Sequence, residues 1–373
     1  MEDEAVAFMQ QYLFLWFFSK KVLQKRFSET NIQPEQRFSP TTHMSRSSQM
    51  NKKLLTAAMA AAIAAPLATP SVVSADTTVY GRINNALVYR NVNDGLNDGV
   101  WDVESNASRF GFKGSEDLGN GMKALFQMEF AVDTANGLST SGGVRNRLGW
   151  VGLSGGWGTA AIGRQWTPFY GAVNKTDIFQ MAGQNNYTIM GTLKTVINAD
   201  ADDANNIDNT TGRIGDAVAY VTPTFFGGFS AALAVVAASE ADVPNLNSDD
   251  WDAANLALNY NRGGLSVGAS AMTFNGDNDQ KGYADFSHLD KTLYGVAAKY
   301  TFNKMFSIIG QYENYDSSVS YAVAGEYYFG NNTLRAVYGY AEPDDKFLGE
   351  KDFTSYGIEL QHNFSKRTLM YVS

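Results

Sequence analysis

Apolar and polar residues alternate with a period of two along most of the chain after residue 75. In Met122–Val132 nearly every second residue is apolar, whereas Lys123 and Glu129 lie on the other face. The segments Ala254–Asn261 and Ser355–Phe364 repeat this pattern. Successive side chains of a β-strand point to opposite sides, so the pattern predicts strands with one apolar and one polar face.

Short and long polar connections alternate between the predicted strands. The short turns are Gly119–Gly121, Gly155–Gly156, Phe226–Gly228, Arg262–Gly264, Asn303–Lys304, Gly330–Asn332 and Ser365–Arg367. The long connections are Asn91–Asn106, Asp133–Gly143, Thr167–Gly212, Ser239–Asp250, Asn275–Leu289, Asn314–Ser318 and Glu342–Lys351. A soluble β-sandwich also alternates, but tight turns at one rim and long loops at the other are typical of a transmembrane, antiparallel up-and-down β-barrel. We therefore predict an all-β fold of that class.

The number of strands follows from the number of turns. Seven tight turns define seven hairpins, and a first strand at Thr77–Arg90 brings the total to about 15. Bacterial barrels of this type close with an even number of strands. The count therefore predicts that a closing C-terminal strand is missing and that Ser373 lies inside the penultimate strand.

Composition excludes several classes of function. The 373 residues include no Cys and three His, which disfavours thiolate metal sites, cysteine nucleophiles and His-based catalytic sites. The formal charge of -9 argues against a nucleic-acid-binding protein, which needs clustered basic residues. We expect no cofactor and no enzymatic activity.

The first 75 residues are predicted not to belong to the barrel. A basic stretch at Met50–Lys53 precedes an apolar run at Leu54–Ala65, and Val73–Ala75 has the small-residue pattern of a signal-peptidase site. Residues 50–75 are therefore interpreted as a signal peptide cleaved after Ala75, and the barrel as residues 76–373. Residues 1–49 are interpreted as an extension that results from a wrongly assigned start.

Five segments carry a resemblance to a known family. They are Val79–Arg82, Ser108–Gly121, Arg147–Leu153, Gly163–Gln165 and Asn363–Thr368. Together they resemble the general diffusion porins of Gram-negative outer membranes, which are trimeric 16-stranded barrels. The resemblance implies passive diffusion of small hydrophilic solutes and ions. It also implies a homotrimer that contacts outer-membrane lipid and lipopolysaccharide and depends on the barrel assembly machinery.

The resemblance also implies a constriction inside the barrel. The longest connection, 167–212, corresponds to the loop that folds inward in such porins. By motif position Arg82, Arg109 and Arg147 correspond to the basic ladder, with Arg213 as a fourth member, and Asp177 to an acidic position of the loop.

Strand phase supports this assignment, because Arg109 alternates with Phe110 and Phe112. An Arg facing lipid at the bilayer midplane costs roughly 2–4 kcal/mol in a barrel. The Pro-Glu-Phe-Gly-Gly signature of enteric members is absent, and Gln180 follows instead, so the sequence identifies no second acidic partner. Three or four Arg against one carboxylate predict weak anion preference at high salt. The net negative charge of the chain, much of it in outer loops, predicts a shift toward cations at low salt, when the rim is less screened.

Other interpretations remain open from the residues alone. A sugar-selective channel needs a track of lumenal aromatic residues, and a surface adhesin would not conduct ions. A barrel enzyme would have to use His288 at the rim. The acidic residues Asp200, Asp202, Asp203 and Asp208 are a weak candidate Ca²⁺ site, although a solvated acidic loop is the simpler interpretation.

Overall fold

The computed structural model describes residues 76–92, 97–136, 144–181, 212–237, 251–274, 291–342 and 352–373. All of them lie in the second of the two units into which the chain divides, Pro70–Ser373. The predicted N-terminal extension and signal peptide lie outside the described residues. Within these ranges no helix combines the length and the apolar character needed to cross a membrane.

The described residues form one short helix, α1 (Pro168–Val173), and 18 strands. The strands are β1 (Asp76–Arg82), β2 (Asn85–Val92), β3 (Asn97–Ser105), β4 (Arg109–Gly119), β5 (Met122–Val132), β6 (Val144–Gly155), β7 (Gly158–Trp166), β8 (Arg213–Ile214), β9 (Ala217–Val221), β10 (Phe229–Ala237), β11 (Trp251–Arg262), β12 (Leu265–Phe274), β13 (Thr292–Phe302), β14 (Phe306–Tyr315), β15 (Ser318–Phe329), β16 (Asn332–Glu342), β17 (Phe353–Asn363) and β18 (Leu369–Val372).

The strands form one 16-stranded sheet and a separate hairpin, β2–β3. In the large sheet β1 pairs with β4, the remaining strands follow in chain order to β18, and the short β8 pairs with β7 outside this path. All pairings are antiparallel. The predicted all-β, up-and-down architecture is thus confirmed. No ladder joins β18 to β1 within the described ranges, but the Tyr371 hydroxyl donates to Asn84 Oδ1 at 3.1 Å.

Two connections differ from the sequence prediction. Most of Asn91–Asn106, predicted as a loop, is strand β3, which pairs with β2 in a hairpin separate from the β1–β4 ladder. Asn314–Ser318, predicted as a long connection, is a tight turn in which only Asp316 and Ser317 separate β14 from β15. Polar residues are abundant in both segments, and polarity alone does not distinguish a loop from a solvated hairpin.

The distribution of side chains over the two faces is inverted relative to a soluble protein. Apolar residues such as Ile358 (62% exposed) and Leu256 (58%) point outward, whereas Glu313 and Glu359 are fully buried. Burying an unpaired charge in an apolar interior is costly, so the inner face must be polar or hydrated. An apolar outer band around a polar interior is the arrangement that a barrel needs in a lipid bilayer.

Candidate functional site

Three arginines share one row on the inner wall. Arg82 of β1 is directly opposite Arg109 of β4, Arg109 is opposite Ala131 of β5, and Ala131 is opposite Arg145 of β6. Residues directly opposite each other on antiparallel strands point to the same side of the sheet. We call Arg82, Arg109 and Arg145 the arginine row.

Glu129 is the carboxylate beside this row. Its side chain is buried and accepts from Arg147 Nε at 2.6 Å and from the Tyr80 hydroxyl at 3.0 Å, and Arg109 Nε lies 3.7 Å away. Arg147 reaches it because a bulge in the β5–β6 ladder places this residue outside the regular pairing. Glu129 is therefore shared between two arginines from neighbouring strands.

Arg145 and Glu129 were not selected from the sequence as site residues. Arg145 is two residues before Arg147, and Glu129 alternates with Met128 and Phe130, so strand phase already carried a signal for both. The Nε of Arg145 is buried and has no hydrogen-bond partner within the described residues. The row thus ends in a guanidinium with free donor capacity.

The segment 167–181 runs along the inner face of the sheet, and its first part is helix α1. The helix begins at Thr167, whose hydroxyl accepts from Tyr170 N at 3.0 Å. Pro168 follows at its first position, where a missing N–H costs nothing. The buried residues of α1 pack on a local apolar cluster of the otherwise polar inner wall. The cluster comprises Phe169, Ala172, Val173, Ile214, Ala217, Val236, Ala253, Ala257, Met272, Phe274, Leu293, Ala297 and Tyr315.

Two glycines and two polar side chains seat the helix. A Cβ on Gly268 would lie 2.2 Å from Ala172 O, and a Cβ on Gly295 would lie 2.6 Å from the Phe169 ring. Asn255 Oδ1 accepts from Phe169 N at 2.6 Å. After the helix, Gln311 Oε1 accepts from the Thr176 hydroxyl at 2.8 Å. The helix is therefore fixed by close backbone contact and by hydrogen bonds to the wall.

The far end of the segment is anchored at Gln180. Ile178 and Phe179 pack against a small apolar patch of the wall formed by Ile309, Ala324 and Val337. The backbone N–H of Gln180 donates to Glu359 Oε2 at 2.8 Å. Its carbonyl accepts from Arg82 Nη2 and from Asn84 Nδ2, each at 2.9 Å. Gln180 thus connects β17 to the end of β1.

A line of alternating charges follows the wall behind this anchor. Lys299 of β13 pairs with Glu326 of β15, which is directly opposite Arg335 of β16. Arg335 contacts both carboxylates: its Nη1 lies 2.7 Å from Glu359 Oε1, and its Nε lies 3.4 Å from Glu326 Oε1. These four side chains balance each other in charge, unlike the arginine row.

The segment also presents charged groups of its own. Asp177 is exposed. Burial raises the pKa of Tyr170, and the negative charge of Asp177 raises it further. The hydrogen bond with Asn174 and the charges of Arg213 and Arg147 lower the pKa of Tyr170 in turn. Burial and the neighbouring Lys299 lower the pKa of Lys175.

Arg213 occupies a different position from the arginine row. Its guanidinium lies over the ring of Trp166, 5.0 Å from the centroid. The Trp166 ring also stacks on the ring of Tyr170, with the two centroids 4.2 Å apart. Thr167 N donates to Gly212 O at 2.9 Å. The two ends of the segment 167–212 are therefore held together beside Arg213.

The candidate Ca²⁺ residues Asp200, Asp202, Asp203 and Asp208 lie outside the described residues, as does His288. Within the described ranges no three His, Asp or Glu side chains are grouped closely enough to hold a metal ion.

Comparison with known proteins gives consistent matches over most of the chain. The family model described as Gram-negative porin matches residues 57–373. The major outer membrane protein P.IB of Neisseria meningitidis is 26% identical over 325 residues, covering 82% of this chain and 89% of that protein.

Solved structures agree on the fold. An anion-selective porin from Comamonas acidovorans matches with a TM-score of 0.64 and 22% identity, covering 80% of this chain and 87% of that chain. The in-vitro folded, trimeric form of OmpT from Vibrio cholerae matches with a TM-score of 0.53 and 16% identity, covering 80% and 87%.

Proposed function

The chain belongs to the Gram-negative porin family, and we propose that its arginine row and the internal segment 167–212 form the constriction of the channel. The protein is an outer-membrane porin, a β-barrel through which small hydrophilic solutes and ions diffuse passively. Family and fold point to a channel and not to an enzyme.

The path of the described part of the segment supports the constriction. It crosses the inner wall from β7 past β12 and β14 to β17, and Gln180 joins it to the end of β1. The water-filled path is then bounded by the segment on one side and by β1, β4, β5 and β6 on the other. The exposed Asp177 belongs to the segment, and the arginine row belongs to those strands.

An excess of positive charge at this point favours anions. Arg82, Arg109 and Arg145 lie in one row, and Glu129 is the carboxylate that pairs with Arg109 and Arg147. This row is the observation that carries the proposal. Low-dielectric walls focus such a field at a narrow point. We infer weak anion preference at high salt, the preference named for the related porin from Comamonas acidovorans, and a shift toward cations at low salt, when acidic rim residues are less screened.

The double variant Arg109→Gln and Arg145→Gln tests this function. Glu129 keeps its close partner Arg147 in this variant, so no buried carboxylate is left alone. The reversal potential in a salt gradient across a planar bilayer should move toward cation preference. The control is Lys366→Gln with Arg367→Gln, which removes the same charge from the exposed turn between β17 and β18. Equal reversal potentials for the two double variants would contradict the proposed constriction.

We also propose that the protein assembles as a homotrimer in contact with outer-membrane lipid and lipopolysaccharide, after insertion by the barrel assembly machinery. Family membership and the trimeric form of the related OmpT support the assembly state. Unboiled protein should migrate as a trimer in detergent gels and as a monomer after heating. Migration as a monomer without heating, with negative cross-linking, would contradict the trimer.

A further inference from the structure

We propose that Ser108 and Asn84 are positioning residues that couple a β-bulge in the barrel wall to the constriction. They hold Arg109 and the carbonyl of Gln180 in place without contributing charge themselves. The inference rests on the proposed constriction, which it extends to two uncharged residues of the wall.

The bulge lies where the β1–β4 ladder passes into the β2–β3 hairpin. Arg82 is opposite Arg109 and Asn85 is opposite Ser105, so two residues on one strand face three on the other. Ala107, in the middle of the three, has φ 52°, a left-handed conformation that is unusual for a residue with a side chain. Bulges of this kind redirect side chains near functional sites.

Ser108 adds side-chain hydrogen bonds at the bulge, where Asn84 O also accepts from Asn106 N at 2.7 Å. Its side chain is 1% exposed, and its Oγ accepts from Asn84 N at 2.9 Å and donates to Asn84 O at 3.3 Å. A second hydroxyl, that of Thr134, lies 3.1 Å from the same Oγ. One buried hydroxyl therefore ties both backbone polar groups of Asn84 to the bulged strand.

The bulge contacts the constriction in two ways. Arg109 Nη1 donates to Ala107 O at 3.1 Å, so the guanidinium is held by the bulged backbone itself. The Asn84 side chain donates from Nδ2 to Gln180 O at 2.9 Å, and its Oδ1 accepts from the Tyr371 hydroxyl at 3.1 Å. The carbonyl of Gln180 can only accept, so it fixes Nδ2 as the end of the amide that faces it, and Oδ1 is left to accept from the Tyr371 hydroxyl.

Each of these contacts is a single hydrogen bond, one that holds the Arg109 guanidinium and one that holds the carbonyl of Gln180. Losing one such hydrogen bond changes the ratio between the hydrogen-bonded position of the group and its unbonded positions by about two- to tenfold. The charges of the wall stay the same in that case, and only their placement changes. Ion selectivity should therefore respond to uncharged substitutions at these positions.

Three variants test the coupling in the full-length protein, measured as single channels in planar bilayers: Ser108→Ala, Asn84→Ala and Tyr371→Phe. None of them alters the net charge. We expect each to increase open-channel current fluctuations and to move the reversal potential toward cation preference, the direction expected for the double variant Arg109→Gln and Arg145→Gln. Ser108→Thr keeps the hydroxyl and should restore the wild-type reversal potential. Tyr327→Phe, which removes a hydroxyl from the outer face, is the matched control.

The outcomes separate this inference from the function on which it depends. A purely structural role for Ser108 and Asn84 would lower the heat stability of the trimer but leave the reversal potential unchanged, and that result would overturn the inference. If Ser108→Ala fails to insert, Asn84→Ala and Tyr371→Phe decide, because both leave the bulge hydroxyl intact. If the double variant of Arg109 and Arg145 shifts the reversal potential but these variants do not, the constriction stands and only the positioning role fails.

Discussion

Replacing Gly268 by Ala tests how tightly helix α1 is seated on the wall. The added Cβ would lie 2.2 Å from Ala172 O, 2.8 Å from Ala172 C and 2.9 Å from Ala172 Cα, all of them backbone atoms of the helix. Ordinary contact begins at 3.4 Å, so the helix has to move by about 1 Å in a closely packed interior. Overpacking of this kind costs about 1–3 kcal/mol.

The direction of the movement predicts the electrical result. Gly268 belongs to the wall, so the helix can move only toward the lumen, and single-channel conductance should fall. The temperature at which the folded form is lost in detergent should fall as well, because the cluster around Phe169 and Val173 is disturbed. Gly310→Ala is the matched control, since a Cβ at Gly310 meets nothing within 4 Å.

The comparison between the two glycine variants is decisive. Both substitutions add one methyl group to a strand, and only the neighbouring atoms differ. If Gly268→Ala conducts and unfolds like Gly310→Ala, the close contact between β12 and α1 does not exist in the membrane, and the seating of the helix is wrong.

Two further predictions concern charged residues. Because burial and Lys299 lower the pKa of Lys175, this residue should lose its proton before the pH reaches the ordinary lysine value of 10.5, and anion preference should weaken there. Reversal potentials measured against pH should show this decline in the wild type and not in Lys175→Gln. Glu359→Gln should lower the unfolding temperature, because breaking a buried ion pair costs up to about 3–5 kcal/mol and Arg335 loses its nearer carboxylate. Equal destabilisation by Glu342→Gln, at an exposed position of β16, would contradict a special role for that pair.

The sequence by itself determined the fold class and the two faces of each strand. Alternation places Glu359 and Ile358 on opposite faces of their strand, because successive side chains of a pleated strand point to opposite sides. The tight turns were equally local, since a turn such as Gly119–Gly121 depends on its own few residues. The family motifs added the expected channel function.

Tertiary structure decided which charges meet. Arg145 joins Arg109 only through the register of three strands, and Arg147 reaches Glu129 only through a bulge. A bulge adds one residue to one strand, and the alternation pattern shows no clear mark of it. The sequence therefore predicted Arg109 and Arg147 on the inner wall, but neither Glu129 as their partner nor Arg145 as a member of the row.

The path of the internal segment also depended on contacts far apart in the chain. Gln180 meets Glu359 and Asn84, residues 179 and 96 positions away. Gly268 looks like any strand glycine until the backbone of Ala172 is placed against it. Strand identity is local because it follows from the alternation within each strand. The proposed constriction depends instead on side chains that become neighbours only when the segment lies against the sheet.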